Sequence, residues 1–149
     1  MLKGIDPLLG PELLATLRSM GHGDEITLVE SNFPAHASHA RVIRLDGVSV
    51  MRALNAVLSV MPLDDFFPEA AWRMAVVDNP TQELPIFEEF RRTMARHAGP
   101  EVRLAVLERF AFYERARQAF AVVATGETRL YGNLLLKKGV IPPAAEPAQ

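Results

Sequence analysis

Behind Pro11, the apolar residues Leu13, Leu14, Leu17 and Met20 recur at helical spacing, and Gly21 follows them. Proline is tolerated in a first helical turn and glycine commonly follows a last one, so a first helix lies between these two positions. His22, Gly23, Asp24 and Glu25 then make a polar loop, and the short apolar runs 26–29 and 42–45 read as strands, the second closed by an Asp46-Gly47 turn. Ser49 is placed to cap a second helix that carries Val50, Leu54, Val57, Leu58 and Met61 on one face and closes at Pro62. After Trp72, residues 74–77 read as a buried strand; a third helix starts at Pro85, sets Ile86, Phe90 and Met94 four apart, and stops before Gly99-Pro100. Residues 102–107 read as a strand, 112–119 as a helix and 120–124 as a strand; Thr125-Gly126 makes a turn, and 131–136 is a last extended segment. Strands alternating with helices predict an α/β sheet with helical layers, without specifying the strand order.

The chain has 149 residues, 49% apolar and 23% charged, which suits one domain able to bury a core without crosslinks. A net charge of -2 gives no electrostatic reason to expect nucleic acid or an anionic membrane as partner. Cysteine is absent, which excludes disulfides, thiol chemistry and cysteine-bound zinc, and permits a reducing compartment. Asp6 and Pro7 interrupt the opening segment, so neither a signal peptide nor a membrane span is expected there and the cytoplasm is favoured. Residues 142–149, rich in proline and alanine, are expected to form a frayed tail beyond a domain of residues 1–141. Nucleotide-binding glycine patterns, a Walker-type lysine and a nucleophile elbow are all missing from the sequence.

Four segments could carry chemistry. His22 lies between glycines just past a helix end, free to turn towards a ligand and able to exchange a proton near neutrality; the competing role is a cation capping the helix C-terminus. Glu30 follows a strand, where α/β proteins commonly place ligand groups, and could accept hydroxyl hydrogen bonds or act as a base; the competing role is an ordinary surface loop. His36 and His39 are three apart, but Pro34 and the lack of apolar periodicity argue against a helix there and against a metal site. Arg109 follows a strand and precedes Phe110, Phe112 and Tyr113, a mixture suited to a sugar, whose C–H faces pack on rings while a guanidinium holds its hydroxyls. The competing role is a helix with its aromatics in the core. Tyr131, Gly132 and Asn133 combine a phenol, a residue without a Cβ and an amide, and could equally be a turn with a capping asparagine.

Together these segments carry a resemblance. MGHGDEI, NFPAH, RFAFYERA and TGE-x-x-x-YGN-x-LLKKGV, preceded by I-x-P-L-L-x-P-E-L-L, are similar in order and spacing to the L-fucose mutarotase family over residues 1–141. The ribose pyranases resemble the chain in the histidine loop and the Tyr-x-Asn ending but lack RFAFYERA. The resemblance implies a single-domain α/β fold, a mixed sheet flanked by helices in three layers, in ring-shaped decamers with sites near subunit contacts. It implies proton transfer by His22, sugar contact by Arg109, and substrate binding by Tyr131, Gly132 and Asn133. Glu30 stands where the family carries a pocket aspartate, one methylene shorter.

The implied activity is interconversion of the anomers of free L-fucose or a related monosaccharide, an isomerisation without metal or cofactor. Ring opening needs a base at the anomeric hydroxyl and an acid at the ring oxygen, a task for general acid–base catalysis. His22 and Tyr131 are the candidates for those two roles, with Arg109 and Asn133 positioning hydroxyls and Glu30 either binding a hydroxyl or orienting His22. The rivals are a pyranase for ribose-like sugars, which uses the same ring opening, and a sugar-binding module without catalysis.

Overall fold

Helix α1 (Pro11–Ser19) forms where the leucine spacing predicts it, and β1 (Glu25–Val29) follows the polar loop, in a computed structural model that describes residues 1–145. The chain continues through α2 (Ala35–Ser38), β2 (Val42–Leu45), α3 (Val50–Leu58), β3 (Glu69–Met74), α4 (Pro85–Ala98), β4 (Arg103–Leu107), α5 (Arg109–Gln118), β5 (Ala121–Thr125) and β6 (Leu134–Lys137). The Ser49 hydroxyl accepts the Arg52 N–H at 3.2 Å, so α3 starts at the expected cap. Pro85 opens α4 and Gly99 follows its last residue.

The strands form a single sheet in the order β2-β5-β1-β6-β3-β4. β1 and β2 pair parallel to β5, β3 pairs parallel to β4, and β6 runs antiparallel to both β1 and β3. Five strands therefore point one way and β6 points back between them. Loops that leave β1, β3, β4 and β5, together with the loop entering β6, gather at one edge of the sheet. The loops entering β1 and β3 and the chain leaving β6 gather at the opposite edge.

Successive strand side chains alternate between the faces. Ile26, Leu28, Val123, Leu134 and Leu136 pack with Leu13 and Leu17 of α1, Leu54 and Val57 of α3, and Phe87 and Phe90 of α4. Val29, Trp72, Val122 and Leu135 pack on the other face with Ala35 of α2 and with Phe112 and Ala116 of α5. Because both faces are covered, β5 and β6 are apolar in succession rather than alternating. Each fully buried leucine or phenylalanine contributes about 1.5–3 kcal/mol to this three-layer arrangement.

Five elements differ from the expectation. α3 ends at Leu58 rather than running to Pro62, with Val60 and Met61 in a turn that bonds back to Val57 O. β3 spans Glu69–Met74 rather than 74–77, because residues 71–74 pair with β4 and residues 71–73 also with β6. The chain leaves the sheet at Ala75, and Asp78 adopts a positive φ of 63°. Helix α5 begins at Arg109 rather than near 112, because the Glu108 carboxylate accepts the N–H groups of Phe110 at 2.8 Å and Ala111 at 3.2 Å. Residues 131–133 are not extended: Tyr131 has a φ of 62° and the strand starts at Leu134. Residues 35–38 form a single helical turn despite Pro34. Of the expected tail, residues 142–145 are exposed and 146–149 lie outside the described residues. Among the described residues no helix is long and apolar enough to cross a membrane.

Candidate functional site

The edge where β1 ends gathers most of the candidate residues. Glu30 follows β1 directly, is buried, and accepts the Asn32 N–H on Oε2 at 2.7 Å. Asn133 is buried just before β6, and its Oδ1 accepts the Glu30 N–H at 3.1 Å. The antiparallel pairing of β1 with β6 makes these two residues meet across 103 positions of sequence. Among the described residues the Asn133 Nδ2 and the Glu30 Oε1 make no hydrogen bond, and neither is sealed from solvent, so a donor and an acceptor are left for a ligand.

Tyr131 turns into the same edge. Its hydroxyl accepts the Val77 N–H at 3.1 Å, which leaves the phenolic proton free to point elsewhere. Val77 also lines a cleft of 440 Å³ with Asp78, Pro80, Val106 and Arg109. The Arg109 guanidinium lies over the Phe110 ring, 4.6 Å from its centroid. Glu108 and Arg109 follow β4 as Glu30 follows β1, so both arrive at this edge by the parallel strand direction.

Gly132 serves packing within the chain. A Cβ there would lie 2.9 Å from the Glu127 Cγ and 3.2 Å from the Ile86 Cδ1. Glu127 is buried, and hydrogen bonds from Arg129 hold its carboxyl below the usual range although burial opposes ionisation. Arg129 donates from Nε at 2.9 Å and from its backbone N–H at 3.1 Å, clamping the turn that presents Tyr131 and Asn133.

His22 is at the other edge. It enters before β1, whereas Glu30, Tyr131 and Asn133 lie past the far end of that strand. Its ring does not cap α1: the Lys138 ammonium occupies that place, donating to Leu17 O at 2.8 Å and Met20 O at 2.6 Å. Instead the His22 Nε2 lies 3.1 Å from Oδ1 of Asp64, and the Phe66 ring packs against the imidazole with centroids 5.0 Å apart. The orienting role weighed for Glu30 is thus occupied, within one chain, by Asp64. Sequence reasoning passed over Asp64 and Phe66; the only signal was an acidic pair beside two phenylalanines after a helix.

The remaining histidines serve the scaffold or the surface. His39 has both ring nitrogens engaged, Nδ1 accepting the Arg41 N–H at 2.8 Å and Nε2 donating to Ala119 O at 2.7 Å, while His36 is exposed. Among the described residues no group of three or more His, Asp or Glu side chains is placed to hold a metal ion.

Comparison with known proteins bears on the whole chain. The chain is 48% identical to the fucose mutarotase of Homo sapiens over 146 residues, 94% of each chain. It is 42% identical to the L-fucose mutarotase of Histophilus somni over 142 residues, 95% of this chain and 99% of that one. The crystal structure of the fucose mutarotase from Streptococcus pneumoniae in complex with L-fucose superposes with a TM-score of 0.87 at 41% identity, covering 95% of this chain and all of that one. Residues 3–141 match the RbsD / FucU transport protein family, and the chain belongs to that family.

Proposed function

We propose that the chain is a monosaccharide mutarotase, an isomerase that interconverts the anomers of L-fucose or a closely related free sugar without a cofactor. The observation that carries this is the 41–48% identity, over nearly the whole chain, to fucose mutarotases that include one bearing L-fucose. The chemistry of the candidate residues agrees with it. His22 accepts the anomeric hydroxyl proton as the oxygen lone pair closes to a carbonyl and the bond from C1 to the ring oxygen breaks. The ring oxygen keeps that electron pair and takes the phenolic proton of Tyr131. Rotation about the bond beside the aldehyde and reversal of both proton transfers give the other anomer. Arg109, Asn133 and Glu30 hold hydroxyls meanwhile.

The test is exchange NMR of anomer interconversion with L-fucose, D-ribose and D-galactose at equal protein concentration. Fastest exchange for L-fucose supports the proposal. Exchange between pyranose and furanose forms of ribose alone would favour the pyranase activity, and no acceleration from folded protein would favour a binding module.

We further propose that one catalytic site draws on two copies of the chain, in a ring-shaped assembly that the family resemblance makes decameric, working in the cytoplasm. What supports this is the separation of His22 from Tyr131 by the full length of β1, about 13 Å for five residues, wider than one pyranose can bridge. Phe66 and Phe67 beside His22 are 63% and 66% exposed and offer apolar surface for a neighbour. Co-expression of His22→Gln with Tyr131→Phe chains should restore part of the activity each lacks alone, since mixed assemblies contain some intact sites. No recovery in verified mixed assemblies, or full activity in a monomer, would overturn it.

A further inference from the structure

His22 sits at the tip of a turn that closes on itself, with the Gly21 N–H donating to Asp24 Oδ2 at 2.7 Å and the Asp24 N–H to Gly21 O at 3.2 Å. That turn is anchored to the end of β6: Gly23 N–H donates to Lys138 O and Lys138 N–H to Asp24 O, both at 2.9 Å. The segment carrying Asp64 is anchored to the same stretch, through Asp64 N–H to Lys137 O at 3.0 Å and Gly139 N–H to Pro62 O at 2.9 Å. A Cβ on Gly139 would collide with Leu63 O, so only glycine permits this approach. Two segments 42 residues apart are therefore held side by side on one short piece of backbone.

The Asp64 side chain is 2% exposed and that of His22 44%. Oδ1 of Asp64 accepts the Phe66 N–H at 3.3 Å as well as facing the imidazole. Burial pushes the Asp64 carboxyl up, but the hydrogen bonds from His22 and the Phe66 N–H, with the charges of His22 and Lys137, bring it below its ordinary value. An ionised carboxylate only accepts. A neutral imidazole has one N–H, so the nitrogen facing that carboxylate must carry it. Nδ1 then holds the lone pair, and among the described residues it makes no hydrogen bond.

We infer that Asp64 is the positioning residue of this site: it holds His22 as the Nε2–H tautomer, and Nδ1 is the nitrogen that takes and returns the sugar's anomeric proton. This rests on the mutarotase reading for the proton that moves, while the tautomer stands on the contact between His22 and the Asp64 carboxylate, whatever the sugar. On ring opening the hydroxyl proton passes to Nδ1, Nε2 keeps its own, and the Asp64 carboxylate faces the imidazolium without receiving a proton. On closure Nδ1 returns the proton to the oxygen at C1. Phe66 packs on the ring and limits its rotation away from Asp64.

Two measurements test it. In nitrogen-15 spectra of the whole protein near neutral pH, with the His22 signals identified by their loss in His22→Gln, the neutral ring should show a protonated Nε2 and a bare Nδ1. The opposite tautomer overturns the inference, and this readout needs no Asp64 variant to fold. Asp64→Asn should lower kcat for anomer exchange about tenfold or more, a share of what acid–base catalysis supplies, with KM within about twofold. Asp64→Glu, which keeps the charge, should recover part of that loss. An unchanged kcat in folded Asp64→Asn overturns the positioning role. If the wild-type protein accelerates no sugar's exchange, the mutarotase reading fails and takes the proton transfer with it; normal catalysis with the wrong tautomer overturns this inference alone.

Discussion

Glu30 and Asn133 are joined by a hydrogen bond of 3.1 Å from the Glu30 backbone to the Asn133 amide oxygen, across 103 residues of sequence. The bond fixes the Asn133 amide, while the Asn32 N–H separately holds the Glu30 carboxylate at 2.7 Å. The bond between Glu30 and Asn133 exists because β6 lies antiparallel against β1 with Leu134 opposite Leu28, so that the residues just outside each strand meet.

The length of Glu30 should set which sugar is preferred. Glu30→Asp withdraws the carboxylate by one methylene and costs one hydrogen bond of about 1 kcal/mol for some hydroxyl arrangements and not others. The ratio of exchange rates for L-fucose and D-galactose should shift about fivefold, measured by exchange NMR on both proteins. An unchanged ratio would remove Glu30 from sugar recognition.

His22→Gln should leave the fold intact and remove catalysis. The side chain is 44% exposed and a glutamine amide can still donate to Asp64, so stability in urea should fall by no more than about 1 kcal/mol. The enzymatic exchange rate should fall by roughly a hundredfold to ten-thousandfold, the usual contribution of a proton-transferring group.

Tyr131→Phe should separate rate from stability. The lost hydroxyl accepts the Val77 N–H, and Val77 is 40% exposed, so water can replace the partner and stability should fall by only about 0.5–1 kcal/mol. Anomer exchange should fall much further, since the phenolic proton has no substitute. Parallel denaturation and exchange measurements decide it.

Gly132→Ala should destabilise the protein by about 1–3 kcal/mol, because the added methyl meets the Glu127 Cγ at 2.9 Å and the Ile86 Cδ1 at 3.2 Å in a packed turn. A lowered melting temperature is the readout. Wild-type stability in Gly132→Ala would mean the turn relaxes freely.

Glu127 should make stability depend on acid. Its folded carboxyl lies below the ordinary value of 4.5, chiefly through the hydrogen bond from Arg129. Stability from this pair is therefore complete above that value and is lost as pH falls through the lower folded one. The gap in urea stability between wild type and Glu127→Gln should be open near pH 7 and should narrow by about pH 3. A gap independent of pH would show that the charge of Glu127 contributes nothing.

Much of the local structure was legible along the chain. α1, α3 and α4 carry their apolar spacing and their boundary residues Pro11, Ser49, Pro85 and Gly99 in plain view, and β1, β2 and β4 are short apolar runs between polar loops. The family motifs named His22, Glu30, Arg109, Tyr131, Gly132 and Asn133 as a set. Spacing did not locate β3, because Ala71, Trp72 and Arg73 become strand only through partners on both sides. Nor did it find the start of α5, since a glutamate is not among the favoured caps and Glu108 acts as one by folding its carboxylate back on two N–H groups.

Sequence by itself determined which residues are present, where most elements begin and end, and the chemistry the site can offer, because spacing and capping are local. Tertiary structure alone decided that β6 runs backwards between β1 and β3. That one choice of strand direction puts Tyr131 and Asn133 beside Glu30, carries Lys137 to Gly139 to the opposite edge, and there brings Asp64 to His22. Strand pairing is a contact between distant segments, selected by burying both faces of the sheet at once, and no local pattern records it.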